Sequence, residues 1–176
     1  MRIFLIAGKA RSGKFCVAQC IKKYFDQKNE KTIVTEYSKY IKLFACEMLD
    51  WEFNTEPKPR KFLQNMGTFI RKNLNQPNFL VERMLEDIKI YAKFYNNIII
   101  SDVRFPDEID KIKINYPESY SFYIINEHGN YDLTKEEANH ESEHALDEYN
   151  DFDYIIVNDN KKDLERKMQE ILGDLK

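Results

Sequence analysis

A glycine, four further residues and then Gly13-Lys14, placed directly after the apolar run Ile3-Phe4-Leu5-Ile6-Ala7, constrain this chain more than any other feature. The apolar run is too short for a helix and is bounded by Gly8, so it reads as a buried strand. From Gly13 to about Gln27, residues Val17, Ala18, Ile21, Tyr24 and Phe25 recur at spacings of one, three and four, which predicts a helix with one buried face. Strand, glycine-bearing turn and helix in that order let successive backbone N–H groups converge on one point. The helix start adds the positive end of its dipole, and Lys14 adds a full charge. Such a loop holds phosphate. One position departs from the pattern: Phe15 follows Lys14 where a hydroxyl for magnesium is usual.

Downstream, Thr32 to Glu36 predicts a second short strand, and Tyr40, Ile41, Phe44, Ala45, Met48 and Leu49 keep helical spacing up to Trp51. Two prolines make 54–59 an exposed loop. Helices are then expected over about 60–73, 78–95, 107–115 and 161–175, and strands over 97–101, 121–125 and 153–157. The β-branched run Ile98-Ile99-Ile100 belongs in the middle of a sheet. Strands alternating with helices predict an α/β fold on a parallel sheet. At 176 residues with 43% hydrophobic content, the chain suits one domain spanning 1–176. The stretch 127–150 is highly charged and carries all three histidines, so it reads as a mobile flap or a solvated excursion.

A net charge of −3 and a pI near 5.7 give no electrostatic footprint for a nucleic acid polymer, while a small phosphorylated ligand needs only a local positive pocket. No apolar run approaches the roughly 20 residues of a membrane span, and the start lacks signal-peptide character, so a cytoplasmic protein is expected, with no membrane partner. Cys16, Cys20 and Cys46 form no C-x-x-C pair and read as buried, reduced thiols.

Within the loop, the amides of 10–14 are expected to cradle phosphate and Lys14 to reach the transferred group, with Lys9 and Arg11 solvated or making secondary phosphate contacts. Asp102 ends the Ile-rich strand, at the edge where open sheets bind ligands, and is placed to hold magnesium directly or through water. Arg104 lies two residues on and could grip a phosphate with its fork. Arg60 and Arg71 are 11 positions apart, about three helical turns, so an α-helix would put them on one face. The segment from His140 to His144 satisfies H-E-x-x-H, a zinc pattern. Its charged flanks and the lack of an evident third ligand speak against a buried metal helix.

Taken together, G-K-A-R-S-G-K at 8–14, Arg60 with Leu63-Gln64, Gly67-Thr68 and Arg71, and D-V-R-F-P-D-E from Asp102 resemble the phage and bacterial deoxynucleoside monophosphate kinases, members of the P-loop kinases. His140, Ser142-Glu143, Ala145-Leu146-Asp147, Phe152-Asp153 and Asn158 continue the resemblance, and the block E-S-E-H-A-L-D is also similar to animal phosphomevalonate kinases. The resemblance implies a three-layer P-loop NTPase fold with a mostly parallel five-stranded sheet and helices on both faces. It implies transfer of the γ-phosphate of ATP, with Mg2+, to a nucleoside monophosphate, by a monomer or homodimer. Phosphomevalonate and dephospho-coenzyme A stay open as acceptors. ATP would be held by Gly8, Lys9, Ala10, Arg11, Ser12, Gly13, Lys14, Phe15 and Cys16, with Asn158 and Asn160 near the adenine. Lys14, Asp102 and Arg104 would carry catalysis. The acceptor would meet Ser38, Arg60, Gln64, Arg71, Arg104, His140, Glu143 and Asp147, from a helical region over about 38–95 and the flap.

Two departures bear on rate. Phe15 offers no oxygen, and no arginine occurs between Phe105 and Glu165, where a closing lid commonly brings one over the phosphates. His128, Lys135, His140 or Lys161 could stand in, without the planar fork. A nucleotide-binding protein with weak or no catalysis is therefore the alternative reading.

Overall fold

Alternate residues of β1 (Arg2–Ala7) face different layers: Ile3, Leu5 and Ala7 join one apolar cluster, and Phe4 and Ile6 join another. In β3 (Asn97–Val103), Ile98 and Ile100 face the first cluster and Ile99 the second. Strands covered on both faces read as unbroken apolar runs, which is why these two stood out in the sequence. The computed structural model describes residues 1–53, 55–126 and 133–175.

Five strands line up in the order β2-β3-β1-β4-β5, with β2 spanning Thr32–Thr35, β4 Ser119–Ile125 and β5 Tyr154–Val157. Every pairing among the described residues is parallel, one step beyond the expected mostly parallel sheet. Phe4 lies opposite Ile99 on one side and Tyr120 on the other. One face is covered by α1 (Lys14–Asp26) and α7 (Lys161–Asp174), through Val17, Ile21, Leu164 and Met168. Val81 and Met84 of α4 (Phe79–Tyr91) and Ile109 and Ile112 of α5 (Pro106–Asn115) cover the other. This is a three-layer α/β fold on a parallel five-stranded sheet, with helices on both faces as expected. The chain leaves β1 towards β2 on one side and later returns to β4 on the other, so the loop after β1 sits where the strand order reverses.

Beside that edge lie α2 (Lys39–Leu49) and α3 (Arg60–Thr68). The helix expected over 60–73 is continuous, but Phe69–Asn73 widens into a π-helix whose end is marked by Leu74 N–H donating to Phe69 O at 3.0 Å. Counting 3.6 residues per turn therefore fails between Arg60 and Arg71.

The stretch 127–150 departs further from expectation. Thr134 and Glu137 form a reciprocal capping box that starts α6 (Lys135–Ala138), and a 3-10 turn follows over Glu141–Glu143. Leu146 is only 7% exposed and joins the core cluster of β1 and β3. So 134–147 is a clasp fastened to the core at Glu143 and Leu146, while Lys135, Glu136, Asn139, Glu141 and His144 stay exposed as a charged surface segment would be. Residues 127–132, including His128, lie outside the described residues. Among the described residues no helix is long and apolar enough to cross a membrane.

Candidate functional site

The loop between β1 and α1 closes on its own lysine. Lys14 Nζ donates to Gly8 O at 2.7 Å and Lys9 O at 2.6 Å, a crossbar under the turn. Burial, then the charge of Arg104, pulls its ammonium well below the ordinary lysine value, against Glu143 and Asp102. Gly8 has φ +138°, and a Cβ there would meet Ile124 O at 2.5 Å and Ser12 Oγ at 2.7 Å. Gly13 has φ +108° and lies under the Asn158 side-chain amide, which donates to Ser12 O at 2.8 Å. Only glycine tolerates both the backbone and the close approach. The Ser12 hydroxyl is buried with no hydrogen-bond partner among the described residues. Gly13 caps α1 through backbone alone, so the first N–H groups of the helix carry no side-chain cap and point into the loop.

At the end of β3, Asp102 receives two backbone donors, Tyr37 N–H on Oδ1 at 2.7 Å and Ser38 N–H on Oδ2 at 3.0 Å. It thereby pins the start of α2 beside the loop. Arg104 Nη1 donates to Glu143 Oε2 at 2.8 Å, and the same oxygen accepts from Ala10 N–H at 2.8 Å. One buried carboxylate from the clasp thus ties the 8–14 loop to the residue that follows β3. Glu108 turns back on this corner: Oε2 accepts from Arg104 N–H at 2.7 Å, and Oε1 accepts from Arg71 Nη2 at 2.8 Å. Burial pushes its carboxyl up to about 8, against the pull of Arg71.

These groups meet around a cavity of about 170 Å³. Ser38, Arg60, Gln64, Arg71, Asp102, Arg104, His140 and Glu143 all line it, so residues from four separate stretches come together. Their roles differ from expectation in several places. Arg71, carried on the π-helical turn, stacks at 3.8 Å on the Phe105 ring and bonds Glu108, Asp107 and the Pro77 carbonyl, so it is not a free phosphate ligand. Gln64 donates to Glu137 O at 3.1 Å, which fastens the clasp to α3. Asp147 does not line the cavity: it pairs with Lys9 at 2.9 Å and with His144, across the top of the loop. Lys9 is therefore an ion-pair partner on a side chain that still reaches solvent. Asn160 caps α7 by accepting from Asp163 N–H at 3.0 Å. Phe15 is 72% exposed on the first turn of α1, with half-buried Cys16 beside it. All three cysteines are free and half-buried, more open than expected.

No family model matches the chain. No curated protein sequence matches it either. Solved structures similar to it include an APS kinase of Mycobacterium tuberculosis, 12% identical over 98% of this chain and 94% of that one, with a TM-score of 0.47. A shikimate kinase of Bacteroides thetaiotaomicron is 14% identical over 98% of both chains, at 0.48. A sugar kinase of Janibacter is 11% identical over 98% of this chain and 95% of that one, at 0.49. At these identities and TM-scores the likeness carries no argument about chemistry, which rests on the residues of this chain.

Glu36 and Lys58 are among the cavity residues that sequence reasoning missed. Glu36 directly follows β2, at the same sheet edge as Asp102; burial raises its carboxyl, and Lys42 grips it at 2.6 Å. Its position at the carboxyl end of a strand was the available signal. Lys58 reaches the cavity from the loop before α3. Two cations flanking a proline at a helix start, Lys58-Pro59-Arg60, were the signal there.

The histidines of H-E-x-x-H serve packing. His140 Nδ1 accepts from Ser142 N–H at 3.2 Å and its Nε2 meets Thr68 Oγ1 at 3.0 Å, while His144 meets Asp147 and Ala138 O. Because 141–143 is a 3-10 turn, the two rings do not share an α-helical face. Among the described residues no cluster of histidine, cysteine and carboxylate suits a metal ion held by protein alone. Magnesium on a nucleotide makes a smaller demand, since it keeps several waters and needs one or two carboxylates. Asp102 fits that demand: each oxygen accepts one N–H and retains a second acceptor direction.

Proposed function

We propose that the protein transfers the γ-phosphate of ATP to a small phosphorylated acceptor, a nucleoside monophosphate in the first instance. The observation that carries this reading is the juxtaposition of the phosphate loop with a cavity lined by Lys58, Arg60, Arg71 and Arg104. The nucleotide phosphates would lie on the loop amides and the N-terminus of α1, where Lys14 needs only to turn from the Gly8 and Lys9 carbonyls to meet them. Magnesium would ride on those phosphates with Asp102 reaching it through water, and would neutralise charge on the transferred group. Arg104 stands between loop and cavity, tied to both by Glu143, and would bridge donor and acceptor. Positioning and charge stabilisation account for most of such a reaction. A coupled assay of ATP consumption across the common monophosphates, phosphomevalonate and dephospho-coenzyme A tests this. Diphosphate formed from a nucleoside monophosphate is expected, and ATP bound without any product would overturn it.

That second outcome has a specific observation in its favour. Phe15 is turned to solvent and brings no oxygen to the loop, and no arginine of the clasp covers the phosphates. Loss of one preorganised charge contact costs on the order of 3 kcal/mol in a transition state. A slow enzyme or a nucleotide-binding protein would have this composition.

A further inference from the structure

Two of the charged side chains around the cavity are not engaged by the protein, and they lie together. Each carboxylate that lines it already has a partner: Glu36 has Lys42, Asp102 the amides of Tyr37 and Ser38, Glu108 has Arg71, Glu141 has Lys72 and Glu143 has Arg104. Of the four lining cations, Arg71 and Arg104 are committed to Glu108 and Glu143. The side chains of Lys58 and Arg60 make no hydrogen bond or ion pair among the described residues. They stand two residues apart across Pro59, whose fixed φ holds their spacing, just before α3. Ile41, Leu63 and Leu80 supply an apolar wall to the same cavity. A charge beside such a wall is felt more strongly than in water. Burial pulls the Lys58 ammonium down from its ordinary value, with Lys42 acting in the same sense and Glu36 and Asp102 opposing.

We infer that Lys58 and Arg60 form the seat of a doubly charged phosphomonoester, and that Lys58, instead of Arg71, is the second cation on the acceptor's phosphate. The inference rests on the acceptor reading above and narrows it. A phosphomonoester near neutral pH carries about two negative charges, and Lys58 and Arg60 offer it two cations that no carboxylate of the protein grips. Arg60 supplies a planar fork and Lys58 a compact charge with three donors, so together they can engage three phosphate oxygens. Arg71 is then a strut: its stacking on Phe105 and its bond to Glu108 fix the corner from which Arg104 projects.

Calorimetric titration separates the possibilities. Wild type, Lys58→Met and Lys58→Arg are titrated with the common nucleoside monophosphates, their singly charged methyl esters, the parent nucleosides and a non-hydrolysable ATP analogue. Lys58→Met is expected to weaken monophosphate binding by about 10- to 100-fold, and Lys58→Arg to recover most of the loss. The methyl ester should suffer less and the nucleoside hardly at all, while the ATP analogue binds as in wild type. Lys58→Met with wild-type affinity for the monophosphate overturns the inference and leaves the acceptor reading standing. Wild type that binds the ATP analogue but no phosphomonoester overturns both. A measurement on the unaltered chain guards against a misfolded variant: monophosphate should protect Lys58 from acetylation, read by mass spectrometry, and the nucleoside should not. Equal acetylation with and without monophosphate, at concentrations where calorimetry shows it bound, also overturns the inference.

Discussion

The loop at 8–14 and the cavity beside it handle charge in opposite ways. In the loop, shape comes from two positive-φ glycines and a lysine that bonds the loop's own carbonyls, so the backbone itself sets the turn, with Glu143 bound at the Ala10 N–H. In the cavity, shape comes from long side chains in ion pairs, and the side chains of Lys58 and Arg60 are left without a bonded partner among the described residues. The loop is thus organised before any ligand arrives, whereas part of the cavity's charge has no protein partner. The difference teaches where selectivity can reside. Backbone amides accept any phosphate, but a pair of flexible cations discriminates by charge and distance.

The largest expected effect breaks the loop side. Lys14→Ala removes the crossbar and the charge, and should lower phosphate transfer on the order of a thousandfold while the far-ultraviolet circular dichroism stays that of the wild type. A near-normal rate in that variant would move the donor site away from the loop.

Next comes the carboxylate that joins the two regions. Glu143→Ala leaves the Ala10 N–H and the Arg104 guanidinium without their shared acceptor. Removing one partner of a mostly buried pair typically costs about 3–5 kcal/mol, and the partial exposure of Arg104 places this case nearer about 2–3. Urea unfolding measures it. A loss under about 1 kcal/mol would mean that loop and cavity are not mechanically joined there.

A pair of glycine substitutions sharpens the backbone side. Gly13→Ala forces a Cβ into a left-handed position and against the Asn158 amide, and should destabilise by about 1–3 kcal/mol. Gly173→Ala, in α7 with open space around it, should stabilise by about 0.5–1 kcal/mol. If the two unfold alike, conformation at Gly13 is not what shapes the loop.

How far the sequence could be read follows from the same contrast. The loop, the two central strands and Asp102 were legible because each depends on local rules: glycine conformation, apolar runs buried on both faces, a carboxylate at a strand end. Arg71 lines the cavity with Arg60, but its role differs because Phe105, Asp107 and Glu108, far along the chain, take up its guanidinium, and nothing in Phe69–Asn73 announces the π-helical turn that carries it. The clasp was illegible for a different reason. Its charged residues are satisfied by groups far along the chain, Asp147 by Lys9 and Glu143 by Ala10 and Arg104, and a charged segment with distant partners looks like a solvated one. Lys58 was overlooked because a loop lysine is ordinarily solvated.

The smallest expected effect concerns the clasp's response to acid. Burial lowers the His140 pKa from its ordinary value, with Lys72 and Arg104 acting in the same sense and Glu141 and Glu143 opposing. The neutral ring accepts from Ser142 N–H, and a proton on Nδ1 would turn that acceptor into a second donor. Below the ordinary histidine value the unfolded chain binds a proton that the folded chain resists, so stability is retained above it and falls as pH drops through it. Urea midpoints for wild type and His140→Gln at about pH 7.5 and about pH 5.5 should show a wild-type loss that the variant lacks. The same loss should accompany a rise in acceptor KM with little change in ATP affinity, because His140 fastens the cavity's roof to Thr68 and makes no contact with the loop. An equal acid response in both proteins would place the pH sensitivity elsewhere and leave the clasp as rigid as the loop it covers.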